Sequence, residues 1–294
     1  MGLHEEGSVM SAPAMDLRRP AVRGRLSKAL LKAAPSGAVA LIGVAFALPL
    51  VWLVFAAVDS QASWAVEIPH WTIANFQAVF SAADLRSLAN SLLVSVLATG
   101  MATAVAFPAA FGLSRYNIPL KQVLVIALLF MTAIPVAVLI IPVYQIYSEI
   151  GWTGSMVTAS LFIGVTGLPF EIAIIKDAID AIPPDFEEAA ALDRASTWET
   201  LIYVVWPLAA PAAGAAAIYG FINSWSMFIV PLILLTSPSD VVAPITIYGF
   251  MGSAVVRYGE IAAFSFLYAL PPVLLYFFMA RVFRGGFALG GGVK

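Results

Sequence analysis

Side chains able to make or break covalent bonds are scarce in this sequence. It has no cysteine and two histidines, His4 and His70, so neither a thiolate metal site nor a converging histidine set can be built. It also lacks a Gly-x-x-x-x-Gly-Lys-Ser/Thr loop, so no nucleotide site is expected here. What the chain has instead is a cluster of carboxylates at close spacing: Asp177, Asp180, Asp185, Glu187, Glu188, Asp193 and Glu199. Their chemistry is ion pairing and hydrogen-bond acceptance, which suits docking rather than catalysis. One further carboxylate, Glu171, falls inside an apolar run, where an ionisable group marks a functional position by default.

The elements that must carry these groups are membrane spans. Apolar residues make up 61% of the 294 residues and charged residues 11%, more apolar surface than a soluble domain can hide. Six stretches are long enough to cross the hydrocarbon layer, near 36–58, 88–113, 123–147, 156–175, 208–235 and 261–282. The expected class is therefore all-α, a polytopic membrane protein with six transmembrane helices. With both termini inside, Arg18, Arg19, Arg23, Arg25, Lys28, Lys32, Arg115, Lys121, Lys176, Arg194, Arg281, Arg284 and Lys294 fall on the inner side. Only Arg86 and Arg257 fall outside. The positive-inside rule thus predicts N-in, C-in, with the acidic loop in the cytoplasm.

Residues 1–35 form a basic tail without a span. Two readings stay open for 18–32: a segment lying on the anionic inner leaflet through Leu26, Leu30 and Leu31, or a disordered topology signal. The apolar run that follows is too long for a cleaved signal's core. In the outer loop 59–87, Trp64, Trp71, Phe76 and Phe80 read as interfacial anchors. Pro49, Pro108, Pro135, Pro142, Pro169, Pro231 and Pro271-Pro272 fall in the spans and are expected to kink them, which suits a bundle that opens and closes around a path.

The acidic loop, about 177–207, predicts two short helices. Pro183-Pro184 stop the fourth span, and a helix starts at Pro184 with Asp185, Glu187 and Glu188 in its positive first turn. Ala189, Ala190 and Ala191 thin its wall for close approach. Ser196-Thr197-Trp198-Glu199 reads as a capping box, opening a second helix expected to end near Pro207.

These residues resemble the EAA loop of binding-protein-dependent ABC importer permeases: Glu188-Ala189-Ala190, Asp193-Arg194-Ala195 and Val204-Val205-Trp206-Pro207, with the family's spacing. Further patches are similar to the carbohydrate permeases of the MalG type: Asn90-Ser91-Leu92, Pro135 with Pro142-Val143-Tyr144, Phe221-Ile222-Asn223-Ser224-Trp225 with Pro231-Leu232, and the tail from Gly286 to Lys294. The resemblance covers residues 36–294 and implies one half of a sugar path in a prokaryotic inner membrane. The partners implied are a homologous permease, an ABC ATPase dimer that binds ATP and magnesium, and an extracytoplasmic sugar-binding protein. Nucleic acid is not implied, and neither is a cofactor or metal in this chain. Glu187, Glu188, Ala189, Ala190, Asp193, Arg194 and Ala195 become the ATPase-coupling set. Glu188 would anchor the loop and Asp193 would cap or tether its turn.

Three departures stand out. Arg194 replaces the family's turn glycine; if the position is left-handed, arginine costs on the order of 1 kcal/mol there and a reshaped turn is expected. Its cation is then expected to face an acidic patch on the ATPase. Trp225-Ser226-Met227-Phe228 replaces Trp-Asn-Glu-Phe, and the terminal glycine run is one residue longer. For the substrate path, Asn223 with Trp225 or Tyr144 offers hydrogen bonding and aromatic stacking, with Ser226 and Glu171 nearby in type. Asn90, Thr99, Thr103, Thr132, Gln145 and Thr158 complete the polar inventory of the spans, each equally readable as a helix-to-helix tie. Glu171 could pair with Lys176, line an inner cavity or sit protonated. Two rivals remain: a secondary transporter built around Glu171, and an ABC permease for a non-sugar solute such as glycerol phosphate. The missing Lys and Arg within the spans favour a neutral cargo.

Overall fold

A computed structural model describes residues 2, 22–252 and 255–282. The C-terminal motif 286–294 and most of the basic tail lie outside the described residues. Packing divides the chain into two units, Met1–Val51 and Trp52–Lys294. In chain order the helices are α1 (Val22–Ala57), α2 (Ala74–Val79), α3 (Ala82–Arg115), α4 (Lys121–Met131), α5 (Val136–Glu149) and α6 (Met156–Asp180). They continue with α7 (Asp185–Leu192), α8 (Thr197–Thr200), α9 (Trp206–Trp225), α10 (Ile229–Leu234), α11 (Ala243–Phe250) and α12 (Tyr258–Val282). Among the described residues the sole β feature is an isolated bridge between Asp59 and Trp71. Five helices are long and apolar enough to cross a membrane, and α4 with α5 makes a sixth crossing if that bent pair is one span.

Three findings bear on these expectations. First, helix α1 begins at Val22 and holds the candidate span Val39–Ala57, close to the expected 36–58, so the helix extends into the 1–35 tail ahead of the span. Second, the third span is broken rather than kinked: α4 and α5 meet at 95°. Pro135 caps α5, and a residue before proline is driven out of helical geometry, so the chain turns through 132–134. Third, the second helix of the acidic loop does not stop near Pro207. It runs through a π-turn at Leu201–Val205 into α9, giving one rod from Thr197 to Trp225. The wide turn, closed by Trp206 N–H on the Leu201 carbonyl, lies just before Pro207, where a regular helix would set the proline ring against the preceding turn. The rod ends at Trp225, ten residues short of the expected 235, and short α10 follows a break.

Helices α3, α6 and α9 form the centre of the second unit. Ala106, Phe107 and Ala110 of α3 pack with Ile172, Ile175 and Ile179 of α6 and with Ala209, Ala213 and Ala216 of α9. Small residues let membrane helices close in and gain packing without a hydrophobic drive. Gly164 marks the limit: a Cβ there would sit 2.7 Å from the Ala98 carbonyl oxygen. Helix α3 is fixed at its start by Ser81, whose hydroxyl accepts the Asp84 N–H at 3.1 Å, and carries Arg115 in its last turn, where the helix dipole favours a cation.

The loop after α1 folds on Asp59. Its Oδ1 accepts the main-chain N–H of Gln61 at 3.1 Å and of His70 at 2.9 Å, and Asn75 Nδ2 donates to its carbonyl at 2.8 Å. Of the four aromatic residues read as anchors, Trp64, Trp71 and Phe80 are exposed, whereas Phe76 packs edge-on against Phe266.

Candidate functional site

The acidic loop is assembled almost entirely from local bonds. Pro184 caps α7, and Asp185, Glu187 and Glu188 occupy its first turn. At its end the Ala195 N–H donates to the Ala190 carbonyl at 3.0 Å and the Arg194 N–H to the Ala191 carbonyl at 3.0 Å. This double bond pattern is a Schellman ending, which requires a left-handed residue at the position Arg194 fills. Arg194 has φ 61°, so the turn keeps the glycine-type geometry and is not reshaped by the arginine. Asp193 holds the turn through its main-chain N–H on the Ala189 carbonyl at 3.2 Å. The capping box forms as read: Ser196 Oγ accepts the Glu199 N–H at 3.3 Å, and Glu199 Oε2 accepts the Ser196 N–H at 2.7 Å.

The loop's carboxylates divide in two. Glu187 turns inward, where Arg115 Nε donates to its Oε1 at 2.6 Å. Glu188 and Ala189 are exposed, and Ala190 is half-buried. Beside them stand large apolar side chains in the open: Leu192 is 86% exposed and Trp198 65%, with Phe186 also uncovered. An acidic helix flanked by exposed apolar groups has the character of a binding surface.

The second feature lies between the central helices. A cavity of about 260 Å³ is lined by Thr99 of α3, Thr166, Phe170 and Glu171 of α6, and Tyr219 and Asn223 of α9, among others. Glu171 is 1% exposed. Its Oε2 accepts from Thr103 Oγ1 at 2.8 Å, while Oε1 and the Thr99 hydroxyl are buried with no partner among the described residues. Gly220 makes the room, since any Cβ there would run into Glu171 Oε1. Lys176, weighed as a partner for Glu171, instead binds Asp180 at 2.5 Å, one turn on along α6.

The structure brings Glu171 and Asn223 to one cavity and leaves the other expected path residues elsewhere. Trp225 is 3% exposed, stacked between Phe221 and Tyr268, with its indole N–H on the Tyr268 carbonyl at 3.2 Å. Both its faces are taken, so it cannot stack on a solute. Ser226 Oγ donates to the Ile222 carbonyl at 3.0 Å and closes the end of α9. Tyr144 lies on α5, outside the cavity lining. The aromatic wall is supplied by Phe170 and Tyr219, whose ring centroids are 4.1 Å apart. Neither was singled out in the sequence; Tyr219 stands four residues before Asn223, on the same helical face. Arg115 was counted only as a topological charge. Asn90 ties α3 to the segment before α11, donating to the Ser239 and Val241 carbonyls, while Thr158 bonds only locally, to the Trp152 carbonyl in the turn before α6.

Residues 102–285 match the family model described as binding-protein-dependent transport system inner membrane component. The osmoprotective compounds uptake permease protein GgtD of Synechocystis sp. is 30% identical over 232 residues, 78% of this chain and 77% of GgtD. The trehalose transport system permease protein SugB of Mycobacterium tuberculosis is 30% identical over 227 residues, 74% of this chain and 81% of SugB. The crystal structure of a bacterial ABC transporter involved in import of the acidic polysaccharide alginate shares the fold. Its TM-score is 0.75 at 17% identity, over 87% of this chain and 98% of that one.

Proposed function

Since this chain belongs to the family of binding-protein-dependent transport system inner membrane components, and is therefore a multi-pass permease of the inner membrane, we propose that it forms half of the path of an ATP-driven sugar importer. Family membership displaces the ion-driven transporter reading. The observation that carries the proposal is the acidic helix-turn-helix, held by its Schellman ending and capping box, with Glu188 and Leu192 exposed. In this reading both termini and the loop are cytoplasmic, and an ATPase subunit grips α7. Glu188 meets amide or cationic donors there, Ala189 permits close approach, and Arg194 presents its cation to an acidic patch. A homologous permease completes the path, and an external binding protein delivers the solute. ATP and magnesium belong to the ATPase.

For the cargo, the cavity supports a neutral polyhydroxylated solute. Aromatic faces of Tyr219 and Phe170 suit the apolar face of a sugar ring, while Asn223, Thr99 and Glu171 suit its hydroxyls. Among the described residues no Lys or Arg lines it, which disfavours a phosphorylated solute. Permeases similar to this chain include one named for trehalose.

The test is co-purification from the native host followed by uptake of trehalose and other neutral disaccharides by the reconstituted complex. A second permease and an ATPase are expected, with the ATPase lost on Glu188→Ala or deletion of 187–195. Glu171→Gln is expected to lower uptake about tenfold while leaving assembly intact. A chain that emerges alone sinks the importer reading, and unchanged uptake by Glu171→Gln sinks the cavity's role.

A further inference from the structure

Beyond the continuity of the chain into α6 and α9, one ion pair ties the acidic loop to a membrane helix among the described residues. Arg115 is the last residue of α3, and Glu187 sits in the first turn of α7, 72 positions later. Besides Glu187, Arg115 reaches the Ile182 carbonyl through Nη2 at 2.8 Å, so its planar fork grips both the helix and the segment leading into it. The two side chains are 17% and 18% exposed, so neither is freely solvated when its partner is removed. Among the described residues no other ion pair joins α7 to a membrane helix. Of the neighbouring ties, Ser114 to Asp180 joins α3 to α6 and Lys176 to Asp180 lies within α6, so both bypass α7.

Helix α7 has eight residues, too few to hold its shape or position alone. Helix α3 has 34, about 51 Å at 1.5 Å per residue. At its far end Asn90 Nδ2 donates to the Ser239 and Val241 carbonyls, and Ser91 Oγ accepts the Ala243 N–H at 2.8 Å. Midway, Thr103 holds Glu171. One helix therefore touches the docking loop, the cavity carboxylate and the turn at the opposite end.

We propose that Arg115 is a positioning residue that fastens α3 to the coupling loop through Glu187, so that movement of the loop is delivered along α3 to the opposite end of the bundle. This rests on the importer reading above. A pair that merely stabilised the fold would alter how much complex assembles and leave the response of the assembled complex intact.

The chain's lack of cysteine allows one to be introduced as a reporter. Leu85→Cys, exposed in the first turn of α3, is labelled with a membrane-impermeant maleimide in the purified complex, with and without a non-hydrolysable ATP analogue and magnesium. The analogue should change the labelling rate about fivefold or more in the Leu85→Cys chain. Arg115→Gln and Glu187→Gln should each cut that response to less than about half while the ATPase still co-purifies, and the exchange Arg115→Glu with Glu187→Arg should recover most of it. If the glutamine variants fail to assemble, Arg115→Lys replaces them: it keeps the charge without the fork, and its response should be intermediate. An undiminished response in the single variants, an exchange no better than they are, or no response in a complex that hydrolyses ATP overturns the proposal. Failure of any ATPase to accompany the unsubstituted chain overturns the importer reading itself, a result separable from the others.

Discussion

The acidic loop and the cavity use polar groups in opposite ways. In the loop, the bonds that set the shape join residues three to five apart: Ser196 with Glu199, Arg194 with Ala191, Ala195 with Ala190. In the cavity, Glu171 finds Thr103, 68 positions earlier, rests against Gly220 of a later helix, and keeps one oxygen unpartnered. Local bonds define a shape before the bundle closes. The cavity exists only once three helices have met, and leaving polar atoms unpaired there opposes folding, so their retention points to a solute that supplies the missing partners.

The strongest way to break this contrast is Gly220→Leu. Its side chain would take the place of Glu171 Oε1, and overpacking a close helix contact costs about 1–3 kcal/mol or more. A monodisperse peak in size-exclusion chromatography should give way to aggregate; a normal peak with normal uptake would show that α6 and α9 are not so close. The loop offers a smaller and two-sided test. Ser196→Ala should speed amide exchange over 197–200, since losing such a cap costs about 1 kcal/mol. Arg194→Gly should slow exchange around the turn by relieving a left-handed arginine worth about 1 kcal/mol. Equal exchange in both variants would detach the loop's shape from its caps, and unchanged ATPase coupling in Arg194→Gly would remove any role for that cation.

The smallest effect is expected outside both regions, in the loop built on Asp59. Main-chain N–H groups of Gln61 and His70 stabilise its carboxylate and hold its pKa below the ordinary aspartate range. A carboxyl depressed in the folded state contributes fully above its unfolded pKa and loses that contribution as pH falls through its folded value. Fluorescence of Trp64 and Trp71 should therefore shift in acid, and the shift should vanish in Asp59→Asn. A shift of the same size in both chains would assign it to another group.

What could be read from the sequence follows the same division. The start of α7 at Pro184, the capping box at Ser196 and the turn at Asp193–Arg194–Ala195 were legible because each is decided by neighbours. The spans were legible from hydropathy, but their interruptions were not. Pro135 breaks the third span where Pro108 and Pro169 leave theirs whole, and the difference lies in what surrounds each proline. Glu171 stood out by its type, and of the residues named with it Asn223 shares its cavity while Tyr144, Trp225 and Ser226 do not. Trp225 and Tyr219 are both aromatic and close in sequence, and only packing against Phe221 and Tyr268 settles which one faces inward. Arg115 counted only as an inner-side charge, since its partner lies 72 positions on, in α7.

The π-turn at Leu201–Val205 has a consequence for the length of the chain. A turn of this kind takes in one residue more than a regular turn, and each residue of a helix advances about 100° around its axis. The rod from Thr197 to Trp225 is thus out of phase with itself, like a shaft cut and rejoined off its mark. Wind this stretch as a regular helix with every residue kept, and Tyr219 and Gly220 swing round by roughly a quarter-turn relative to the Ser196 cap. Gly220 would no longer lie beside Glu171. The wide winding of that stretch, more than any one of its side chains, sets the angular timing between the docking loop and the cavity wall.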